Sequence, residues 1–251
     1  MSLNYVFARH GEADSNLAIA AGWKGDDRLL LELQRQLDRA PDNYDLTPLG
    51  VAQARELRAR IEPLIEEVRN GSPVYYYHSP LIRAHRTARL ALPNVPESEW
   101  RSNRLLAERL WDCIRGYDPQ KPLEEYFTRC IERATTIDEC PAPGGESARQ
   151  KYADVVAFFD HVRREHESGT VVITNHGEWM LLARLHLLGL GIDAWPTISR
   201  EPVLNCQIEA YVCFDPNNRT SPRGNTVSHR KIIFPPNDHG LVPTDWIPIN
   251  L

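Results

Sequence analysis

The sequence predicts an α/β fold, a three-layer sandwich in which helices cover both faces of a mainly parallel central sheet. Short apolar segments, rich in β-branched and aromatic residues, alternate with longer segments whose apolar residues recur at helical spacing. This alternation is typical of parallel strands joined by crossover helices. Two connections, at about residues 17–45 and 109–145, exceed ordinary loops in length. We expect them to form lid insertions at the carboxyl ends of the strands.

The first strand and the first long helix have clear signals. Residues 3–8 form an apolar run of strand length. Thr47 suits the N-cap and Pro48 the first helical position, so a helix is predicted to begin there. Apolar residues then recur at helical spacing as far as an Asn-Gly pair at 70–71, which ends the helix. Pro63 lies inside this helix and predicts a kink.

The following elements continue the alternation of strand and helix. Residues 74–77 are a β-rich run, and residues 81–92 read as a helix. Residues 147–166 form a longer amphipathic helix whose valines and phenylalanines share one face. Residues 170–174 read TVVIT, which is typical of a buried strand, and a helix follows from Glu178.

The last third of the chain predicts two more strands. Residues 207–214 and 230–234 are β-rich, and we expect them to pair in antiparallel fashion. The segment from about residue 216 to 251 is rich in proline and asparagine, so it is predicted as a C-terminal extension on the surface. Residues 1–251 are expected to form a single domain.

Composition excludes several functional classes. The formal net charge of the 251 residues is −5, with no basic stripe, so no nucleic-acid partner is expected. The start lacks a signal-peptide pattern and no apolar run approaches membrane-spanning length, so no membrane partner is expected. The five cysteines contain no CxxC pair and fit a reduced setting, which favours a cytoplasmic location. A homo-oligomer is left open.

Three predicted strands end in turns that carry imidazole or guanidinium groups. The turns are Arg9-His10-Gly11, the segment from Ser79 to Arg86, and Asn175-His176-Gly177. Ligands of open α/β sheets bind beyond the carboxyl ends of the strands, so these groups are expected around one crevice. The two glycines allow tight turns and are expected to present backbone N–H groups to an anion. The pattern therefore predicts a phosphate site.

The residue types favour covalent phosphoryl transfer without a metal or another cofactor. Guanidinium groups bind phosphate oxygens in bidentate fashion, and arginines beside the histidines would repel a divalent cation. A neutral imidazole is a competent nucleophile at phosphorus. A carboxylic acid must then protonate the leaving oxygen.

Five motifs in order resemble the histidine phosphatase superfamily, in its phosphoglycerate mutase-like branch. They are Arg9-His10-Gly11-Glu12 with Asn16, Leu46-Thr47-Pro48-Leu49-Gly50, Ser79-Pro80-Leu81-Ile82-Arg83-Ala84, Gly144-Gly145-Glu146-Ser147 and Asn175-His176-Gly177-Glu178. The resemblance extends from about Tyr5 to Ile208. It implies an α/β phosphatase fold and a phosphohistidine mechanism.

The resemblance also implies roles for particular residues. His10 resembles the phosphoacceptor, and the phosphate clamp of the family corresponds to Arg9, Arg83 and His176. Asn16 and Gly177 correspond to phosphate-contacting positions. The segment Leu106-Ala107-Glu108-Arg109 looks like the one that supplies the acid, with Glu108 as proton donor. Asp112 is a rival acid, because the family often has a glycine after the aromatic residue and here Asp112 follows Trp111.

Several other residues in these motifs have structural interpretations. We expect Glu12 and Glu146 to cap a helix or pair with an arginine of the clamp, and Arg86 to form a bracing salt bridge. His78 is expected to pack at the end of its strand. Trp111, in the second insertion, is left open between stacking on a substrate and packing within the insertion.

The insertions favour hydrolysis of a small phosphorylated metabolite. Residues 109–145 contain five basic and seven acidic residues, so they lack the basic grip typical of phosphoglycerate mutases. A mutase-type phosphotransferase remains an alternative. A protein phosphohistidine or phosphoprotein phosphatase is another, although long insertions would cover the open face that a protein substrate needs.

Overall fold

The computed structural model describes residues 2–26, 28, 44–113, 117, 118, 120, 122–216, 226–235 and 243–249. Seven strands in this part of the chain form one sheet, in the order β3-β2-β4-β1-β5-β6-β7. The strands are β1 (Ser2–Arg9), β2 (Val74–His78), β3 (Trp100–Ser102), β4 (Ser168–Asn175), β5 (Ile208–Val212), β6 (His229–Ile233) and β7 (Ile247–Pro248).

The sheet is parallel from its β3 edge to its centre and antiparallel beyond. Strands β3, β2, β4 and β1 pair in parallel. Strand β5 lies antiparallel to β1, and β6 and β7 continue in antiparallel fashion. The predicted pairing of the two late strands is thus confirmed, as is the α/β fold with its parallel centre.

Seven α-helices in the described residues accompany the sheet. They are α1 (Asp14–Trp23), α2 (Pro48–Arg69), α3 (Ile82–Ala91), α4 (Leu123–Ala134), α5 (Ala148–Glu165), α6 (Gly177–Leu187) and α7 (Trp195–Ile198). Thr47 caps α2 as expected, since its Oγ1 accepts a hydrogen bond from the Gly50 N–H at 3.0 Å. Helix α2 continues through Pro63 to its end.

Apolar clusters cover both faces of the sheet. Helices α5 and α6 pack on one face through residues such as Phe159 and Trp179, with Phe7 of β1 beneath them. Helix α2 packs on the other face, where Leu57 meets Val6 of β1. These two layers hold β1 and β4 in a rigid centre, and the strand ends become a fixed platform. Within the described residues, no helix is long and apolar enough to cross a bilayer.

Parts of both long insertions pack against each other. Helix α1 belongs to the first and α4 to the second, and a small apolar cluster includes Ala18, Tyr117 and Phe127. Gly22 allows this close approach, because a Cβ at this position would lie 2.5 Å from the Phe127 ring. Residues 29–43 of the first insertion lie outside the described part. We call the packed pair of α1 and α4 the cap.

Candidate active site

The register of the parallel strands brings the three predicted turns together. Arg9 is opposite Asn175, and His78 is opposite Thr174. The His10 N–H donates to the Asn175 carbonyl at 3.0 Å, which continues the ladder one residue beyond the strand. The strand-end residues therefore lie side by side at the carboxyl edge of the sheet, as predicted.

The imidazole of His10 is buried and fixed in one orientation. Its Nδ1 lies 2.6 Å from the Gly11 carbonyl oxygen, which can only accept, so Nδ1 carries the proton and Nε2 keeps its lone pair. Arg83 Nε donates toward that Nε2 at 3.3 Å. Burial, and then the charges of Arg83 and Arg9, hold the pKa of His10 well below its usual 6.5. The His10 imidazole is therefore neutral at neutral pH, with Nε2 unprotonated.

Gly11 serves close packing rather than anion binding. A Cβ at this position would lie 2.4 Å from the Gly50 carbonyl oxygen, at the start of α2. The Gly11 N–H donates to Thr87 Oγ1 at 3.1 Å. Our expectation that this N–H would face an anion is therefore wrong, because α3 already supplies its acceptor.

His176 lies against His10, with ring centroids 5.0 Å apart. Its Nε2 is 2.8 Å from Ser79 Oγ. Its Nδ1 is buried, has no hydrogen-bond partner in the described part of the chain and lies 3.9 Å from Glu108 Oε2. Burial, followed by the charge of Arg83, lowers the pKa of His176 well below 6.5. The free Nδ1 is a polar atom available to a ligand oxygen.

Arg9 completes the cationic side of the site. Its Nη1 donates to the Val203 carbonyl, while its buried Nε finds no hydrogen-bond partner among the residues described. A Cβ on Gly177 would lie 3.4 Å from this Nε. The guanidinium therefore packs beside Gly177 at a distance that a larger residue would also tolerate, and as the first residue of α6 Gly177 has an N–H without an intrahelical acceptor.

Glu108 is the carboxylate of the site. Its side chain is 23% exposed, and its Oε1 accepts from the Arg109 N–H at 3.2 Å. Burial, helped by the carboxylate of Glu178, raises its pKa from 4.5 to about 7, against the opposing charges of Arg83 and Arg9. A glutamate of this kind is partly protonated at neutral pH and can donate a proton.

Glu178 was not singled out from the sequence as part of the site. Its carboxylate receives two hydrogen bonds from the fully buried Arg109, at 2.8 and 3.0 Å. The Trp111 indole N–H donates to the same carboxylate at 2.6 Å. The guanidinium of Arg109 lies between the rings of Trp111 and Trp195, at 5.5 and 5.4 Å from their centres. A carboxylate directly after the Asn-His-Gly motif was the available signal.

The second insertion contains the rival acid. Asp112 lines the same cavity as Glu108 and has a left-handed backbone, with φ of 54°. Asp112 is thus close enough to the cavity to be tested as an acid.

Asn16 lies at the edge of the site beside Asn205, a residue that no sequence motif singles out. Asn16 Oδ1 accepts from the Ala13 N–H at 3.0 Å, and so supports the start of α1. Asn205 Nδ2 donates to the His10 carbonyl at 3.0 Å and lies 3.4 Å from Asn16 Oδ1. Asn16 also lines the cavity, so its proposed contact with a ligand stays a prediction.

Other motif residues are structural. Glu12 accepts from the Thr47 hydroxyl at 2.7 Å, and Arg86 pairs with Asp45 as expected. Glu146 pairs with Lys151 at 3.2 Å rather than with an arginine of the clamp. It also accepts from the Leu110 N–H at 2.9 Å. This carboxylate therefore ties the second insertion to the start of α5.

The site opens into a cavity of about 800 Å³. His10, Arg9, Arg83 and Glu108 line its floor, and side chains of both α1 and α4 line it as well. The cap and the strand ends thus enclose one volume, sized for a small molecule.

Comparison with known families gives one match. The model of the histidine phosphatase superfamily (branch 1) matches residues 5–220. A search of curated proteins finds no match.

Solved structures of several phosphatases share the fold. A mycobacterial glucosyl-3-phosphoglycerate phosphatase in complex with VO3 is 19% identical, with a TM-score of 0.61 over 83% of this chain and 92% of its own. A phosphoserine phosphatase from Entamoeba histolytica, in complex with 3-phosphoglyceric acid, is 17% identical, with a TM-score of 0.55 over 97% and 96%. Mycobacterial hydrolase 1 is 20% identical, with a TM-score of 0.59 over 83% and 90%. At these identities the likeness establishes the fold alone.

Proposed function

The chain belongs to the histidine phosphatase superfamily, and we propose that it hydrolyses a small phosphomonoester through a phosphohistidine on His10. One observation carries the proposal. The Nε2 lone pair of His10 is held beside the Arg83 guanidinium by the bond from Nδ1 to the Gly11 carbonyl. A neutral imidazole with its proton fixed on the far nitrogen is a nucleophile beside an anion site.

In the first step, His10 Nε2 attacks phosphorus. The N–P bond forms while the bond from phosphorus to the leaving oxygen breaks, and Glu108 donates its proton to that oxygen. The raised pKa of Glu108, about 7, supplies this proton near neutral pH. The leaving alcohol then departs through the cavity.

The charge on the transferred phosphoryl group is balanced by the clamp. Arg83 is buried and Arg9 partly buried beside His10, and the buried Nε of Arg9 has no hydrogen-bond partner among the described residues. In the same part of the chain, His176 Nδ1 is a further polar atom without a partner. Fixed donors in a desolvated site stabilise developing negative charge more strongly than water does. The clamp therefore performs the electrostatic part of catalysis.

In the second step, water replaces the alcohol. Glu108, now a carboxylate, takes a proton from a water molecule while the oxygen of that water attacks phosphorus. The N–P bond then breaks, which releases phosphate and restores His10. We favour water over a second substrate molecule because carboxylates outnumber cations among the described lining residues beyond the clamp. A mutase must instead retain a phosphorylated acid in this volume.

Trapping the intermediate tests the proposal. Brief reaction with ³²P-labelled phosphomonoester, denaturation in alkali and peptide mapping should place the label on His10. His10→Ala should abolish both label and turnover. His161→Ala, which removes a half-buried histidine of α5 outside the cavity lining, is the matched control and should retain both. Full turnover in His10→Ala would overturn the mechanism.

A further inference from the structure

We propose that the cavity selects phosphomonoesters whose leaving group is uncharged and largely apolar, an alkyl or aryl alcohol rather than a carboxylated or multiply phosphorylated one. The inference rests on the proposed function and names its substrate class. It is carried by the residues that surround the leaving-group side of the phosphate site.

The wall away from the clamp is built from large apolar side chains. The cap contributes Ile19 from α1, and Phe127 and Ile131 from α4. Leu181 of α6 lines the cavity from the core, and Trp111 lines it from the second insertion. A leaving group that enters this volume exchanges water for hydrocarbon and aromatic contacts, which favours apolar surface.

Two of the cations beyond the clamp are already neutralised. Lys151, which is buried, lies 2.8 Å from Asp154 and 3.2 Å from Glu146. Arg109, also buried, is held by both oxygens of Glu178. An anionic group on the leaving alcohol would have to displace a carboxylate from one of these pairs. Breaking a buried pair leaves a buried charge without a partner, which is costly.

The total charge of the lining outside the clamp also opposes an anionic leaving group. Among the described lining residues outside the clamp and Glu108, five are acidic and three are basic. The third cation, Arg104, is exposed, so its charge is screened by solvent. Lys151 has two carboxylate partners, which leaves an excess negative charge beside it, whereas Glu201 is exposed and paired with Arg184. The field beyond the phosphate therefore does not attract a second anion.

Trp111 offers a pre-organised surface to the leaving group. Its indole N–H is bound to Glu178 at 2.6 Å, and the Arg109 guanidinium lies 5.5 Å from its ring centre. A side chain fixed in this way loses little conformational freedom when a ligand contacts it. Trp111 therefore braces the insertion and lines the cavity, and its stacking on the leaving group is part of this proposal.

A series of n-alkyl phosphates tests the inference. The leaving-group acidity is nearly constant along this series, so the rise in kcat/KM from propyl to hexyl phosphate isolates apolar contact. Each buried methylene should raise kcat/KM by roughly two- to fourfold. A terminal carboxylate on the hexyl chain should lower kcat/KM by about tenfold or more relative to hexyl phosphate. A flat series, or a preference for the carboxylated ester, would overturn the inference.

Two variants locate the effect in the cap. Ile131→Asn and Ile19→Asn each place an amide in the apolar wall, and each should reduce the ratio of kcat/KM between hexyl and propyl phosphate. Leu190→Asn is the control, because Leu190 is 50% exposed and does not line the cavity. It should retain the wild-type ratio, and thermal denaturation of each variant identifies loss of folding. An unchanged ratio in both folded cap variants contradicts the inference.

The outcomes separate the inference from the proposed function. Absence of phosphohistidine and of turnover with every ester refutes the phosphatase itself. If turnover proceeds through His10 but kcat/KM does not depend on the length of the alkyl chain, only the preference for an apolar leaving group is refuted.

Discussion

Replacing Glu108 by glutamine keeps the size of the side chain and removes its proton. An alkyl phosphate has a poor leaving group that must be protonated, so its turnover should fall by roughly 10²–10⁴-fold. A nitrophenyl phosphate departs largely without a proton, so its first step should lose less. Phosphohistidine should then accumulate, because the base that activates water is missing. In the wild type, the rate of the first step should fall above a pH of about 7, where Glu108 loses its proton. This fall should be absent in the glutamine variant, which has no titrating acid.

The same variant should become more stable than the wild type as pH rises. The pKa of Glu108 is raised from 4.5 to about 7 in the folded protein. A carboxyl whose pKa is raised by folding stabilises the folded protein at pH values below its pKa in the unfolded chain. This stabilisation is lost as the pH rises through its pKa in the folded protein. The full difference corresponds to about 3 kcal/mol, and contact with solvent reduces it, since the side chain is 23% exposed. We expect a relative gain of about 1–2 kcal/mol for the variant between pH 5 and pH 8.

Urea unfolding at pH 5 and pH 8 measures the stability, and rapid-mixing kinetics with alkyl and aryl esters measures the chemistry. Asp112→Asn is the matched control, because Asp112 is the other candidate acid beside this cavity. It should show neither effect. If Asp112→Asn shows the leaving-group dependence and Glu108→Gln does not, the acid is Asp112 and our assignment is refuted.

Three further predictions test the environment of the site. Excess chelator should leave the rate within about twofold, because guanidinium groups already balance the phosphate charge, and a strict need for a divalent ion would contradict this. Gly11→Ala should lower kcat by at least roughly tenfold, since the new methyl would clash with the Gly50 carbonyl at 2.4 Å and displace the nucleophile; unchanged kinetics would contradict the role in packing. Arg109→Met should cost about 3–5 kcal/mol of unfolding free energy in urea denaturation, because Glu178 loses its buried partner; the double variant with Glu178→Gln should cost less.

Local signals were sufficient for most of the fold and for the expectation that the predicted site residues lie together at the strand ends. The helix at Thr47 and Pro48 is specified by its own cap, so nothing distant decides where it begins. The strand at residues 170–174 is buried throughout and apolar at its centre because helices cover both faces, which is visible in one short segment. The parallel pairing then places His10 beside His176 without further information.

The cap and the supporting contacts depend on distant parts of the chain. Val203 and Asn205 lie on a loop far from Arg9 and His10 in sequence, and they contact them through a carbonyl and an amide that leave no pattern. Glu178 could be seen in the sequence, but its partner Arg109 lies 69 residues away. Such pairs are set by tertiary packing, which periodicity and spacing do not encode.

Burial at the strand ends is the main cause of the pKa shifts of both His10 and Glu108. Desolvation disfavours whichever form is charged, so it lowers the pKa of His10 below 6.5 and raises that of Glu108 to about 7. Arg9 and Arg83 act on both groups: they reinforce the shift of the histidine and oppose that of the glutamate. His10 is consequently neutral and Glu108 protonated over the same range of pH, from below 6.5 to about 7, as their proposed roles require. The clamp cations are needed for the phosphate, and Glu178 restores the acid by adding a negative charge beside it. The bidentate bond to Arg109 keeps that carboxylate in place, so the cation at the base of the second insertion helps to set the chemistry at the leaving oxygen.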